Sequence, residues 1–316
     1  MPDEGQTDNL AVEVRNLTKR YGQLVAVNGI SFEVRRGELF GFLGPNGAGK
    51  TTTARVLTGV IKADAGTALV MGSKAGSLKA KQTAGVVPEM ANAYTDLSGW
   101  DNLMLMAELY GVPAATARER NESWLRALGL LERKDSLVKT YSKGMKQRLI
   151  LCMALVSDPE VLFLDEPTSG LDVQSARLIK DLLRRLNAGG KTIFLTTHDM
   201  DEANQLCDRV AIINEGKIVA IDAPERLRMA TSGRHSVEVS FNDSVSPESL
   251  ASLAGVNTVQ KVGDKYRLYT DNPGDLVVAL VNHSSAARLK IVSLNILAPS
   301  LEDAFVAMTE KEAGYA

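Results

Sequence analysis

The chain contains 316 residues, of which 45% are hydrophobic and 23% are charged, and its formal net charge is −2. This composition is typical of a globular protein, and the near-neutral charge argues against a protein held on nucleic acid or anionic lipid by its overall field. At about 150 residues per domain, the length favours two domains.

The first sixty residues have the pattern of strands separated by glycines. Residues 11–14 and 30–34 alternate apolar and polar side chains, which predicts half-buried strands of an antiparallel sheet. Residues 38–43 form an apolar run without alternation, typical of a strand buried on both faces. A glycine-rich turn and a segment with helical spacing over 51–60 follow.

The middle of the chain changes to helical spacing, with apolar residues three and four positions apart from 102 to 156. We interpret residues from about 90 to 157 as a helical subdomain inserted into an α/β sheet. Strand and helix then alternate again, with buried strands predicted at 161–164 and 192–196 and a helix at 176–186.

The last third contains a hairpin signal and a second region of alternating elements. Asn-Glu-Gly between 211–214 and 217–221 is typical of a tight turn. A linker is predicted at 231–234, and the remaining pattern fits a β-α-β-β-α-β order. The predicted domains are therefore 8–230 and a small α+β domain over 235–316.

Cysteine usage and the N-terminal sequence favour a protein kept in the cytoplasm. Cys152 and Cys207 lack the spacing of a disulfide framework or zinc site. The first ten residues are acidic and lack the apolar core of a secretory signal. The longest apolar run, at 149–156, is far shorter than the ~20 residues that a membrane-spanning helix needs.

A phosphate-binding motif lies between the buried strand and the helix at 51–60. The sequence G-x-x-x-x-G-K-T is formed by Gly44, Pro45, Asn46, Gly47, Ala48, Gly49, Lys50 and Thr51. Glycines allow backbone N–H groups to surround a phosphate chain, Lys50 would reach the β- and γ-phosphates, and the Thr51 hydroxyl would bind Mg²⁺. The predicted ATP-binding segment extends to Thr52.

Two adjacent carboxylates end the buried strand at 161–164. Next to a phosphate-binding loop, Asp165 is suited to hold Mg²⁺ through its water shell. Glu166 is suited to take a proton from an attacking water. The pair therefore predicts metal-assisted hydrolysis of a nucleotide.

The order of five motifs resembles the nucleotide-binding subunits of ATP-binding cassette (ABC) transporters over residues 10–225. The motifs are the phosphate-binding loop, 141–148, the Asp165-Glu166 strand, 169–172 and 195–198. The segment 141–148 resembles the family's LSGGQ signature, matching at Ser142 and Gly144 and departing at Lys143 and Met145. The implied fold is α/β: a P-loop NTPase ABC cassette with a mixed sheet core, an antiparallel β subdomain and a helical subdomain, followed by a small α+β C-terminal domain.

The resemblance implies a head-to-tail dimer that binds two ATP molecules between its cassettes. The signature of one copy, Ser142 to Met145, would face the phosphate-binding loop of the other. Asp172 matches the loop that senses the opposite site, and Tyr21 matches the aromatic residue that stacks on adenine. Homodimer and heterodimer remain open.

The family's catalytic and metal-binding positions can also be placed on this sequence. His198 matches the switch histidine that contacts the γ-phosphate, so that Glu166, His198 and Lys50 form the implied catalytic set. The implied metal ligands are Thr51, Asp165 and Glu89. Glu89 stands where many cassettes carry glutamine, and its carboxylate can still ligate Mg²⁺.

The resemblance also implies export through a separate membrane permease subunit, with this chain peripheral on the inner face of the cell membrane. No nucleic-acid partner and no membrane span of its own are expected. The alternative is a soluble ABC ATPase with a regulatory, ribosome-associated or DNA-associated role. The exported substrate, the permease and the role of the C-terminal domain remain open.

Overall fold

A computed structural model of the chain describes residues 9–90, 93–230, 235–297 and 299–312. They fall into two compact units, Met1–Pro224 and Glu225–Ala316. The predicted linker at 231–234 lies outside the described residues. Within the described ranges, no helix combines the length and the apolar character needed to cross a bilayer.

Strands and helices are interspersed along the chain, as the α/β prediction requires. The strands are β1 Leu10–Tyr21, β2 Leu24–Arg35, β3 Leu39–Leu43, β4 Ala65–Val70, β5 Ser73–Lys74, β6 Ala84–Val87, β7 Val161–Asp165, β8 Thr192–Thr197, β9 Arg209–Asn214, β10 Lys217–Asp222, β11 His235–Phe241, β12 Thr258–Val262, β13 Lys265–Thr270 and β14 Ile291–Leu297. The helices are α1 Lys50–Leu57, α2 Leu78–Thr83, α3 Gly99–Leu109, α4 Ala114–Ala127, α5 Lys143–Leu155, α6 Val173–Ala188, α7 Met200–Leu206, α8 Pro224–Ala230, α9 Pro247–Ala251, α10 Pro273–Ala286 and α11 Leu301–Glu312.

An antiparallel sheet of order β2-β1-β4-β5 forms the first layer. Ile30, Phe32 and Val34 of β2 are buried, as their alternation predicts. Both β1 and β2 have twelve residues and are longer than the predicted strands. Their pairing continues past register shifts that interrupt the apolar alternation, so the pattern alone underestimates their length.

A mixed sheet of order β10-β9-β3-β8-β7-β6 forms the second layer. Every residue of β3, β7 and β8 is buried, which confirms the prediction from their continuous apolar runs. These three strands are parallel neighbours, so their carboxyl ends meet at one edge of the sheet. The side chains that follow them are therefore brought close together.

Phenylalanine rings fill the core between the two layers. The Phe194 ring packs against four other rings where the two sheets face one another. Its centroid lies 6.0 Å from that of Phe32, 6.1 Å from Phe40, 5.5 Å from Phe42 and 5.7 Å from Phe163. These rings are at most 4% exposed. Their burial fixes the two sheets against each other and holds the active edge of the second sheet in place.

The inserted helical subdomain consists of α3, α4 and α5. Ser98 begins α3 with a capping box in which its hydroxyl and the Asp101 carboxylate bond reciprocally to the backbone. The residues of α5 from 149 to 155 are all buried, so this helix is apolar on nearly every side. It packs against α3, α4 and α6.

The second unit has the β-α-β-β-α-β order that its sequence pattern predicts. Its antiparallel sheet has the order β12-β13-β11-β14, and α9 and α10 contact the sheet. Val237, Val239 and Leu268 of the sheet form its core with Leu276 and Leu280 of α10. The unit therefore has a hydrophobic core of its own.

Candidate active site

The glycine-rich segment 44–49 joins β3 to α1 and opens the N-terminus of that helix. Gly49 has φ +106°, and a Cβ there would lie 2.5 Å from the Ala26 carbonyl oxygen, so only glycine fits. No side chain caps the first turn of α1. Its backbone N–H groups are therefore available to an anion.

Lys50 is buried inside this loop. Its ammonium group donates to the carbonyl oxygens of Gly44 at 2.8 Å and Pro45 at 3.2 Å. It also forms an ion pair of 3.2 Å with Glu166 Oε1, which is equally buried. The contact with Glu166 is electrostatic, since Glu166 Oε1 accepts no hydrogen bond from the described residues. The buried charge of Lys50 is thus balanced by Glu166.

Asp165 ends β7 directly beside α1. Its Oδ1 accepts hydrogen bonds from the hydroxyls of Thr51 at 3.1 Å and Thr196 at 2.5 Å. The described residues contain no group of three or more His, Cys, Asp or Glu side chains that could hold a metal ion. A carboxylate beside a hydroxyl is nevertheless the oxygen donor set that suits Mg²⁺ when phosphates and water complete the octahedron.

Glu166 contacts residues that follow two other strands. Its Oε2 lies 2.7 Å from Nδ1 of His198, the residue after β8. Its φ is +51°, an uncommon conformation for a residue with a side chain, and its N–H donates to the Thr196 carbonyl at 3.1 Å. Glu166 therefore lies between Lys50 and His198, while the imidazole is 48% exposed.

The signature segment begins α5 at a separate position. Ser142 caps the helix, since its hydroxyl accepts from the Met145 N–H at 3.2 Å. Lys143, which departs from the consensus, donates to the Ser169 carbonyl at 3.0 Å. In the described part of the chain, no hydrogen bond or ion pair joins 142–145 to 44–52. The signature and the phosphate-binding loop of one chain thus share no polar contact among the described residues.

Gly144 allows α5 to approach α6 closely. A Cβ at Gly144 would lie 2.4 Å from Ser175 Oγ and 2.9 Å from Ser175 Cβ. The Ser175 hydroxyl donates to Asp172, whose carboxylate caps α6 by accepting from the Ser175 N–H. These hydrogen bonds lower the pKa of Asp172. Asp172 and Gly144 are therefore parts of one packed contact.

Tyr21 and Glu89 are both exposed. Tyr21 ends β1 with 46% of its surface exposed, and the Lys19 ammonium is 5.7 Å from the ring centroid. Glu89 is exposed and faces a cavity of about 400 Å³ that is also lined by Met90, Lys143, Lys146, Gln147 and Ser169. The structure therefore brings together Lys50, Thr51, Asp165, Glu166 and His198, and places Glu89 beside the signature helix.

The sequence reasoning assigned no structural role to Thr196, Thr168 or Glu202. Thr196 hydrogen-bonds Asp165, and Thr168 hydrogen-bonds the buried carboxylate of Glu202 at 2.6 Å. Asp199 and Glu202 have the spacing of a helix start, which could have located α7. Neither the burial of Glu202 nor its partner could be read from that spacing.

Comparisons with known proteins agree with this geometry. A sequence model of the family described as "ABC transporter" matches residues 27–169. The Nod factor export ATP-binding protein I of Ralstonia nicotianae is 40% identical over 98% of this chain and 97% of its own length. The linearmycin resistance ATP-binding protein LnrL of Bacillus subtilis is 35% identical over 94% of this chain and 98% of its own length.

Other relatives and solved structures cover a smaller share of this chain. A fluoroquinolones export ATP-binding protein of Mycobacterium tuberculosis is 46% identical over 71% of this chain and 74% of its own length. A solved ATP binding subunit of an ABC transporter is 28% identical over 70% of this chain and 92% of its own, with a TM-score of 0.65. A part of the Clostridium perfringens cbiONQ transporter complex is 29% identical over 69% of this chain and 90% of its own, with a TM-score of 0.62.

The close packing at Gly144 leads to a stability prediction. Gly144→Ala should lower the free energy of unfolding by about 1–3 kcal/mol, because the added methyl group overlaps Ser175 and forces α5 away from α6. Urea unfolding of the wild type and of Gly144→Ala would measure this loss of stability. Ser175→Gly added to Gly144→Ala removes the overlapping atoms and should recover part of the loss. A Gly144→Ala variant as stable as the wild type would contradict the packing account.

Proposed function

This chain belongs to the ATP-binding subunits of ABC export systems, and we propose that it hydrolyses ATP at the site of Lys50, Asp165, Glu166 and His198. The chain is an ABC transporter ATPase with the cassette fold, so the proposal concerns the roles of these side chains. The observation that carries it is the position of Glu166 within hydrogen-bonding distance of both Lys50 and His198.

In the proposed mechanism, Glu166 orients the attacking water and accepts its proton. Lys50 and the backbone N–H groups at the start of α1 bind the β- and γ-phosphates. His198 stabilises the charge that develops on the γ-phosphoryl group, since its imidazole is half exposed at the same edge. Tyr21 stacks on the adenine ring, which its exposed position at the end of β1 permits.

The oxygen atoms of Thr51 and Asp165 would hold Mg²⁺, with Glu89 as a further ligand. When bound, the ion neutralises phosphate charge and orients the γ-phosphoryl group. Thr196 keeps the Asp165 carboxylate oriented through its hydroxyl, which is buried. Neighbours of this kind commonly orient the residues that bind a metal.

We infer that each complete site needs a second copy of the chain. Ser142, Lys143, Gly144 and Met145 lie apart from the phosphate-binding loop of the same chain and would face the γ-phosphate in a head-to-tail partner. The start of α5 then offers a hydroxyl, backbone N–H groups and the positive end of the helix dipole. Asp172, packed against Gly144, would sense the opposite site.

We propose that a separate membrane permease selects the exported substrate and that this chain binds it from the inner face of the membrane. The relatives named above carry the names of different compounds: Nod factor export, linearmycin resistance and fluoroquinolones export. Since similar ATP-binding subunits are associated with such different compounds, we infer that another polypeptide selects the substrate.

We assign residues 8–230 to the ATP-binding domain and 235–316 to an accessory domain.

The proposed base can be tested by Glu166→Gln. The amide keeps the size of the side chain but cannot accept the proton, so kcat should fall about 10²-fold or more. ATP binding should persist, and the ATP-bound dimer should accumulate in size-exclusion chromatography. Glu160→Gln, an exposed carboxylate at the other end of β7, is the matched control. A normal rate of hydrolysis by purified Glu166→Gln would exclude the base role.

Mixing two inactive variants tests the shared sites. Lys50→Ala disables the phosphate-binding loop, and Ser142→Arg disables the signature. In a mixed head-to-tail dimer one site carries both defects and the other carries neither, so ATP hydrolysis should reappear on mixing. If each site were complete within one chain, the mixture would show no more activity than the separate variants.

The transport role predicts a membrane partner. Affinity capture of the tagged full-length chain from mild detergent should recover an integral membrane protein, and reconstitution with that protein should change the ATPase rate. An unchanged rate after reconstitution would oppose coupling. Capture of ribosomes or DNA with no membrane protein would favour the soluble alternative.

A further inference from the structure

The Glu202 carboxyl group is buried, and the proposed mechanism does not use it. It is a neighbour of the segments that contain Glu166 and His198, through contacts with Thr168 and Asp199. Glu202 is in the first turn of α7, and it is 1% exposed. Burying a carboxylate costs free energy unless hydrogen bonds or charges satisfy its oxygens. No ion pair involves Glu202 among the residues that the structure describes, so hydrogen bonds are its specific contacts.

Glu202 connects the loop after β7 to the loop after β8. Its Oε1 accepts from the Thr168 hydroxyl at 2.6 Å, and its N–H donates to Asp199 Oδ1 at 3.0 Å. The Asp199 N–H in turn donates to the Thr197 hydroxyl at 3.0 Å. Thr168 is two residues after the proposed base, and Thr197 and Asp199 flank His198. The chain of contacts therefore runs between the neighbours of both active groups.

Burial, hydrogen bonds and nearby charges all act on the Glu202 carboxylate. Burial raises the pKa of Glu202, and hydrogen bonds with Thr168 and Thr197 act in the opposite direction. Lys180 also favours the ionised carboxylate, whereas Asp199 disfavours it. Removing a hydroxyl partner would therefore leave the buried Glu202 carboxylate without one of its hydrogen bonds.

The backbone of Glu166 needs such support. Its φ of +51° is unfavourable for a residue with a side chain and has to be held by neighbouring contacts. The Glu166 N–H is held by the Thr196 carbonyl, and the Glu166 carbonyl accepts from the Ser169 N–H at 3.2 Å. The bond from Thr168 to Glu202 fixes the intervening part of the same turn.

We propose that Glu202 is a positioning residue for ATP hydrolysis: by holding Thr168, it keeps the Glu166 carboxylate within hydrogen-bonding distance of His198. The inference rests on the roles proposed above for Glu166 and His198. In this proposal Glu202 does not contact ATP. Its effect is on the geometry of the two residues that do act there.

Steady-state ATP hydrolysis by the full-length chain tests the proposal through two variants. Glu202→Met keeps the volume and removes both acceptor oxygens, and Thr168→Val removes only the donating hydroxyl. Each should lower kcat about 10–100-fold, because a displacement near 1 Å is enough for such a loss. The KM for ATP should change less than about twofold, since the phosphate-binding loop is untouched.

Conservative variants separate positioning from a general loss of folding. Glu202→Gln retains an oxygen that can accept from Thr168, and Thr168→Ser retains the hydroxyl, so both should keep most of the wild-type rate. Asp201→Asn changes an exposed carboxylate in the same turn and should behave as wild type. Equal losses in the single variants and in Glu202→Met/Thr168→Val combined would show that the two residues act as one unit.

A measurement without turnover checks the geometry directly. The chain has three histidines, so ¹⁵N spectra of the imidazoles are simple, and His198→Asn identifies the His198 signals. Glu202→Met and Thr168→Val should move the His198 Nδ1 shift toward that of an imidazole without its carboxylate partner, while His235 and His283 stay unchanged. If Glu202→Met does not fold, Thr168→Val still provides the test.

The possible outcomes distinguish this inference from the proposed function. Wild-type kcat and an unmoved His198 signal in both Thr168→Val and Glu202→Met would overturn the role of Glu202, as would losses that multiply in the double variant. If Glu166→Gln hydrolyses ATP normally, the proposed base fails. An inactive Glu166→Gln beside a fully active Glu202→Met leaves the base intact and rejects only the positioning role.

Discussion

The parallel pairing of β3, β7 and β8 determines where every charged group of the active site lies. In the register of these strands, Leu43 is opposite Thr197, and Asp165 is opposite Thr196. All three strands are buried on both faces, so a shift in register would place polar side chains in an apolar core. Phenylalanine packing against the antiparallel sheet thereby maintains a spacing of a few ångströms between Lys50, Glu166 and His198, which are far apart in the sequence.

Residues 166–172 connect the two halves of the proposed ATP sites. The segment begins at Glu166 and ends at Asp172, the cap of α6. Lys143 of the signature segment donates to a carbonyl within it, and Gly144 packs against Ser175 just beyond it. A change at Glu166 can thus reach the signature helix through packed and hydrogen-bonded atoms, which suits the proposal that a second copy completes each site.

The fold and the positions of the main motifs could be predicted because they depend on local patterns. The phosphate-binding motif needs one strand, one turn and one helix, and the buried strands are continuous apolar runs. The bonds from Thr196 to Asp165 and from Thr168 to Glu202 could not be predicted, because they depend on the register of strands distant in sequence. The full length of β1 was missed because register shifts hide its alternation, and β4 to β6 carry too little periodicity to identify.

The ion pair between Lys50 and Glu166 has a consequence for nucleotide affinity. In the proposed mechanism, the phosphates of ATP and the Glu166 carboxylate are both anionic partners of the Lys50 ammonium group, so Glu166 competes with the nucleotide for Lys50. The apparent affinity is then the intrinsic affinity multiplied by the fraction of molecules in which Lys50 is unpaired. The same residue would oppose phosphate binding through Lys50 and promote bond cleavage through the attacking water.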